Sequence, residues 1–144
     1  MSFDLFKTEG EGRLSVFAIA GRQRFEVRID PTRGRCETLH NGHAIPDGNC
    51  QLPEIGDGLT LEVSLVDRQF LVAVNGHPVG TAYTYRREAR REWNPAPRPL
   101  GIGSSGLGVE IGNLRVYRDV YYTGPIGWPA RWGLDNPAKL GEDA

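Results

Sequence analysis

The stretch that decides the fold is LTLEVSLVDRQFLVAVNG, residues 59–76. In its first half Leu59, Leu61, Val63 and Leu65 alternate without a fault with Thr60, Glu62 and Ser64. Successive side chains on a strand point to opposite faces, so this pattern puts one face on a core and the other in water. Asp67-Arg68 then turns the chain into a second apolar run, 69–74, and Asn75-Gly76 turns it again. Asn-Gly adopts the positive φ angles of a two-residue hairpin at little cost. The segment therefore reads as a meander of adjacent antiparallel strands.

The same alternation recurs at 24–30, RFEVRID. Further strands are expected at 14–19, 35–39, 79–83 and 100–103. In the closing stretch, 100–123, Val109 and Ile111 point one way, whereas Leu114 and Val116 alternate in the opposite parity. That slip at Gly112-Asn113 implies a bulge or a corner. The stretch as a whole reads as a glycine-hinged hairpin that closes the fold. The 19 glycines and 10 prolines are spread along the 144 residues, which suits many turns and works against long helices. One weak helical candidate, 85–93, is stopped by Asn94-Pro95-Ala96-Pro97. Together these signals imply an all-β, antiparallel two-sheet β-sandwich of jelly-roll type over 1–123. Residues 124–144 hold Trp128-Pro129 and Trp132 without usable periodicity, and read as a tail or a linker toward a further region.

Composition narrows the functional classes. Hydrophobic content of 39% and charged content of 24% are those of a globular domain with a core of its own. A net charge of −1 gives no global attraction to nucleic acid. No run reaches the roughly 18 apolar residues of a membrane span, and the N-terminus has no basic-then-apolar signal segment. The two cysteines, Cys36 and Cys50, are open to pairing or to remaining free.

Several motifs tempt a chemical reading. Gly101-Ile102-Gly103-Ser104-Ser105-Gly106 fits G-x-G-x-x-G, but a dinucleotide fingerprint needs a helix after the glycines, and Leu107 to Ile111 is strand-like. The glycines are expected to form a tight hairpin and the two serines to sit in its turn, because the nucleophile pattern G-x-S-x-G fails at Leu107. Cys36, His40, His43 and Cys50 match no standard zinc spacing, so no metal is expected. Asp47-Gly48 and Asp57-Gly58 lack the oxygen ladder of a calcium loop and read as tight turns. No catalytic residue and no cofactor are expected. The dense patch that remains is Tyr83, Tyr85, Arg86, Arg87, Arg90, Arg91 and Trp93; with Glu88 and Glu92 neutralising half its charge it reads as a solvated loop first, and as an interaction surface second.

Val72-Ala73-Val74-Asn75-Gly76, the 101–106 glycine run and the closing Val109-Glu110-Ile111-Gly112-Asn113-Leu114-Arg115-Val116-Tyr117-Arg118-Asp119 resemble the concanavalin-A-like, laminin-G-like jelly-roll superfamily. A narrower resemblance rests on Gly21-Arg22-Gln23-Arg24-Phe25-Glu26-Val27-Arg28, Arg118-Asp119-Val120-Tyr121-Tyr122-Thr123 and Trp132-Gly133-Leu134-Asp135-Asn136-Pro137. These are similar to the domain inserted in signal peptidase I of planctomycete-type bacteria. That family uses a serine nucleophile and a lysine general base, yet this sequence has neither an S-M-x-P serine box nor a lysine box, so no catalytic residue carries over. The resemblance implies a non-catalytic insert on the extracytoplasmic face of the cytoplasmic membrane, held there by segments of its parent. Its partners would be the parent's catalytic domain, a preprotein or a cell-envelope component. A lectin-like module that binds a saccharide through its aromatics is the alternative, with a glycoside-hydrolase-related sandwich a third.

Overall fold

The computed structural model describes residues 1–86 and 98–117. Eleven strands, and no helix, make up the described residues: β1 (Ser2–Glu9), β2 (Arg13–Ala20), β3 (Gln23–Asp30), β4 (Arg35–His40), β5 (His43–Ala44), β6 (Cys50–Gln51), β7 (Leu59–Val66), β8 (Gln69–Val74), β9 (His77–Thr84), β10 (Leu100–Ser105) and β11 (Gly108–Arg115). They form two antiparallel sheets, ordered β11-β1-β7-β8-β9 and β10-β2-β3-β4-β5, with β6 also paired to β4. The expected two-sheet β-sandwich is the observed architecture. The helical candidate at 85–93 and the tail at 124–144 fall almost wholly outside the described residues, as does the chain beyond Tyr117.

The core follows from the alternation. Leu59, Leu61 and Val63 of one sheet and Phe25, Val27 and Ile29 of the other all turn inward and are buried, together with Phe3, Leu5, Leu14, Val16, Phe70 and Val72. Burying a side chain of this size contributes roughly 1.5–3 kcal/mol, which is why period two dictates which face is inside.

The meander forms as expected. Asp67 and Arg68 at one turn, and Asn75 and Gly76 at the next, have positive φ at both central positions. Two-residue turns of this hand match the strand twist. Asn75 does more than turn: its side-chain oxygen accepts the Thr60 amide at 2.9 Å. Asn41 does the same for Arg24 in the other sheet, at 2.8 Å. Each asparagine thereby ties its hairpin to the third strand.

The parity slip is a bulge. Asp4 pairs with Gly112 and Ser2 with Arg115, so β11 carries an extra residue, and Asn113 takes a φ of 50°. The Asn113 amide donates to Asp4 at 2.6 Å, fixing that bend to its neighbour.

One expectation is corrected. The stretch from Leu100 is not a hairpin: β10 pairs with β2 in one sheet, and β11 pairs with β1 in the other. Ser104 and Ser105 end β10, and the chain crosses between sheets at Gly106 and Leu107. The Gly10–Gly12 link from β1 to β2 crosses beside it, so the two links pack backbone against backbone. A Cβ on Gly12 would lie 2.6 Å from the Gly106 carbonyl carbon. Glycine is required there because no side chain fits between two main chains. Strand β1 was not expected, because Phe6 breaks the alternation of Phe3 and Leu5 at a second register shift, between Leu5 and Lys7.

Candidate functional site

The expected aromatic and arginine surface begins where β9 ends. Strand alternation and the pairing of Phe70 with Tyr83 place the Tyr83 ring at the rim of the core. Its hydroxyl lies 3.0 Å from His40 Nδ1, and His40 Nε2 lies 3.0 Å from Gln23 Oε1. The Gln23 amide nitrogen donates to the Arg86 carbonyl at 2.9 Å. These contacts set the tautomer. Gln23 Oε1 can only accept, so Nε2 carries the proton and Nδ1 accepts from the tyrosine. Phe25 stacks on the imidazole, with centroids 4.6 Å apart and planes 3° from parallel, and Tyr85 tilts against Phe25 at 4.6 Å. Burial pushes the His40 pKa down, and the charge of His43 adds to it.

Tyr83 and Tyr85 are thus half-buried and take part in a bridge between the sheets. Arg86 contributes its carbonyl to that bridge. Arg87, Arg90, Arg91 and Trp93 lie outside the described residues.

Two other motifs find structural roles. Cys36 and Cys50 form a disulfide, with Cα atoms 5.0 Å apart, so neither offers a thiolate to a metal. Thr38 prepares it. Its buried hydroxyl donates to the Gly48 carbonyl at 3.0 Å, and its carbonyl accepts the Ile45 amide at 2.9 Å. These bonds fold the 45–48 segment back so that Cys50 returns opposite Cys36. The 101–106 glycine run leads into strand β11, which leaves it no helix N-terminus to hold a phosphate.

The sequence reading missed the outer face of the six-stranded sheet. Alternation puts Arg24, Glu26, Arg28 and Asp30 of β3 on that face, and the register sets Arg28 beside Glu37 and Asp30 beside Arg35. The Arg24 guanidinium lies 4.2 Å over the Phe17 ring, and Phe17 in turn covers Gly101. Glu26 sits between Arg28, at 2.9 Å, and Arg24, at 3.3 Å, with its side chain only 12% exposed. Burial, the largest single influence, raises the Glu26 carboxyl, but the Arg28 hydrogen bond, the charges of Arg28 and Arg24 and a Ser15 hydrogen bond together leave the pKa lowered.

Below this triad lies an open cleft of about 360 Å³, lined by Arg13, Arg28, Arg33 and Arg35 with Asp30 and Glu37. A second hollow of about 330 Å³ shares Arg13, Asp30 and Arg33, so the two form one trough. Asn49, Cys50 and Gln51 make its far wall, clamped there by the disulfide. The alternating charges of 24–30 and 35–37 were the visible signal. Their gathering was not, because it depends on which strands pair.

Protein-family models, curated proteins and solved structures were all compared with this chain, and none matches.

Proposed function

We propose that this chain is a non-catalytic β-sandwich binding module of concanavalin-A-like, jelly-roll type, carried as an insert by a membrane-anchored signal peptidase I. Its partner is the parent's own catalytic domain, a preprotein or a cell-envelope component, met on the extracytoplasmic face of the membrane. The observation that carries the binding role is the arginine-lined trough, built on paired strands and walled by a disulfide. A site on strands holds its geometry better than one on loops. The disulfide also supports the extracytoplasmic setting, since such bonds persist where thiols are not kept reduced. The parentage rests on the resemblance of 21–28, 118–123 and 132–137.

The carboxylates of this face speak for binding over sugar hydrolysis. A glycosidase general acid needs a raised pKa. Glu26, between Arg28 and Arg24, is lowered instead. A saccharide-binding role remains the second reading, favoured by the mixed donors and acceptors of the trough.

Two experiments test the proposal. The purified chain incubated with a signal-peptide substrate should leave it intact, and cleavage would overturn the non-catalytic reading. The coding region around the chain should encode a membrane helix, a serine box and a lysine box; their absence would overturn the parentage.

A further inference from the structure

The cleft gathers four guanidinium groups, Arg13, Arg28, Arg33 and Arg35, with Asp30 and Glu37 in its lining and Glu11 in the adjoining hollow. Arg28 is committed to Glu26 at 2.9 Å, and Arg33 to Asp30 at 3.7 Å. Asp30 is also turned toward its own tight turn, where it accepts the Arg33 amide at 3.1 Å. Arg13 and Arg35 stand on the two strands that flank Asp30, and among the described residues neither forms an ion pair. Two exposed guanidinium groups therefore face one cleft with their forks open. A guanidinium matches a carboxylate through two parallel hydrogen bonds, a geometry a point charge cannot copy.

We propose that this trough binds a carboxylate-bearing saccharide, with Arg13 and Arg35 taking the carboxylate. The inference rests on the reading of the chain as a binding module and names its ligand class. Asp30 and Glu37 decide against a plain phosphate. Their negative charge in the cleft repels a dianion, while a carboxylate oxygen accepts hydrogen bonds from hydroxyl groups. The Asn49 and Gln51 side chains on the far wall both donate and accept, as a polyhydroxylated ring requires. A cleft of about 360 Å³ is at the small end of ligand sites, so it takes one or two sugar units. The disulfide keeps Asn49 and Gln51 opposite the arginines, so binding depends on the oxidised chain.

The test is calorimetric titration of the whole oxidised chain with glucuronate, with glucose as the uncharged analogue and inorganic phosphate as the plain anion. Glucuronate should bind, with affinity falling roughly tenfold or more in R13Q and in R35Q, the loss of one charged hydrogen-bonding partner. Both arginines are exposed, and circular dichroism would verify that each variant is folded. R22Q, at the opposite end of β2, should bind like the parent chain. Amide shifts of Asn49 and Gln51 on titration would place the ligand in the trough. The proposal is overturned if glucuronate fails to bind, if glucose or phosphate binds as well, or if folded R13Q and R35Q bind unchanged. Failure here leaves the substrate-cleavage result untouched, so the loss of this ligand and the loss of the non-catalytic reading are separate outcomes.

Discussion

His40 Nδ1 lies 3.0 Å from the Tyr83 hydroxyl, a contact that joins β4 of one sheet to β9 of the other. Gln23 holds the opposite ring nitrogen as a donor, and burial, which pushes the His40 pKa down, favours the neutral imidazole in this bridge. A charged imidazole has no lone pair at Nδ1, so protonation would force the tyrosine hydroxyl to turn and accept instead.

Stability should therefore depend on pH with a definite sign. Burial, with the charge of His43, holds the His40 pKa below its ordinary value of 6.5. As pH falls, the unfolded chain takes up the proton first. The contribution is complete above about 6.5 and is lost as pH falls from there through the lower folded value. Urea midpoints should be higher at pH 7.5 than at 5.5, and H40Q should reduce that difference, the burial-lowered Met1 amine keeping a share of the same sign. Lowered carboxylates such as Glu26 act at more acid pH, outside this window. An undiminished slope in H40Q would assign the effect to another group.

The disulfide between Cys36 and Cys50 spans 14 residues. Closing a loop of that size stabilises a folded domain by about 3 kcal/mol through the unfolded state. The C36S/C50S pair should lower the denaturation midpoint by that order, and reductant should shift the parent chain but not the variant. Thiol titration of the unreduced, unfolded chain should find none. A free thiol there would contradict the pairing.

Gly12 permits the two crossing links to touch. A methyl group there would stand 2.6 Å from the Gly106 carbonyl carbon and 2.8 Å from the Leu107 amide nitrogen. Backbone atoms of a second link cannot swing away as a flexible side chain does. G12A should cost about 3 kcal/mol or more, read by thermal unfolding, whereas alanine at Gly103, with open space around its Cβ and no positive φ, should cost far less. Equal stability of the two variants would mean that the crossings are not packed as described.

Asn113 holds the bulge in β11 with a left-handed φ of 50° and a bond to Asp4. A β-branched residue tolerates that region poorly, so N113V should destabilise by about 1–2 kcal/mol, with N113G milder. Chemical denaturation of the two variants checks the order. N113V as stable as N113G would remove the strained position from the account.

Much of this was legible from residues alone, and for a local reason. Alternation at 24–30 and 59–65 settles which side chains go inside, because a strand reverses its side chains at every step. Asn75-Gly76 and Asp67-Arg68 mark hairpins because few backbones accept two positive φ angles. The parity change at Gly112-Asn113 reveals the bulge, because one extra residue shifts every side chain after it. Tyr83, Tyr85 and Arg86 were singled out, and they gather around His40 and Gln23.

The remainder is non-local. Nothing in residues 100–115 states that β10 joins β2 while β11 joins β1, since a corner and a hairpin use the same glycines. The Cys36–Cys50 bond needs the Thr38 and Gly48 contact that returns the chain, and no spacing specifies it. Arg13, Arg28 and Arg35 are each an ordinary outward residue of a separate strand. Only strand register lines them up around one trough, because hydrogen bonding between strands, and not order along the chain, decides which outward residues are neighbours.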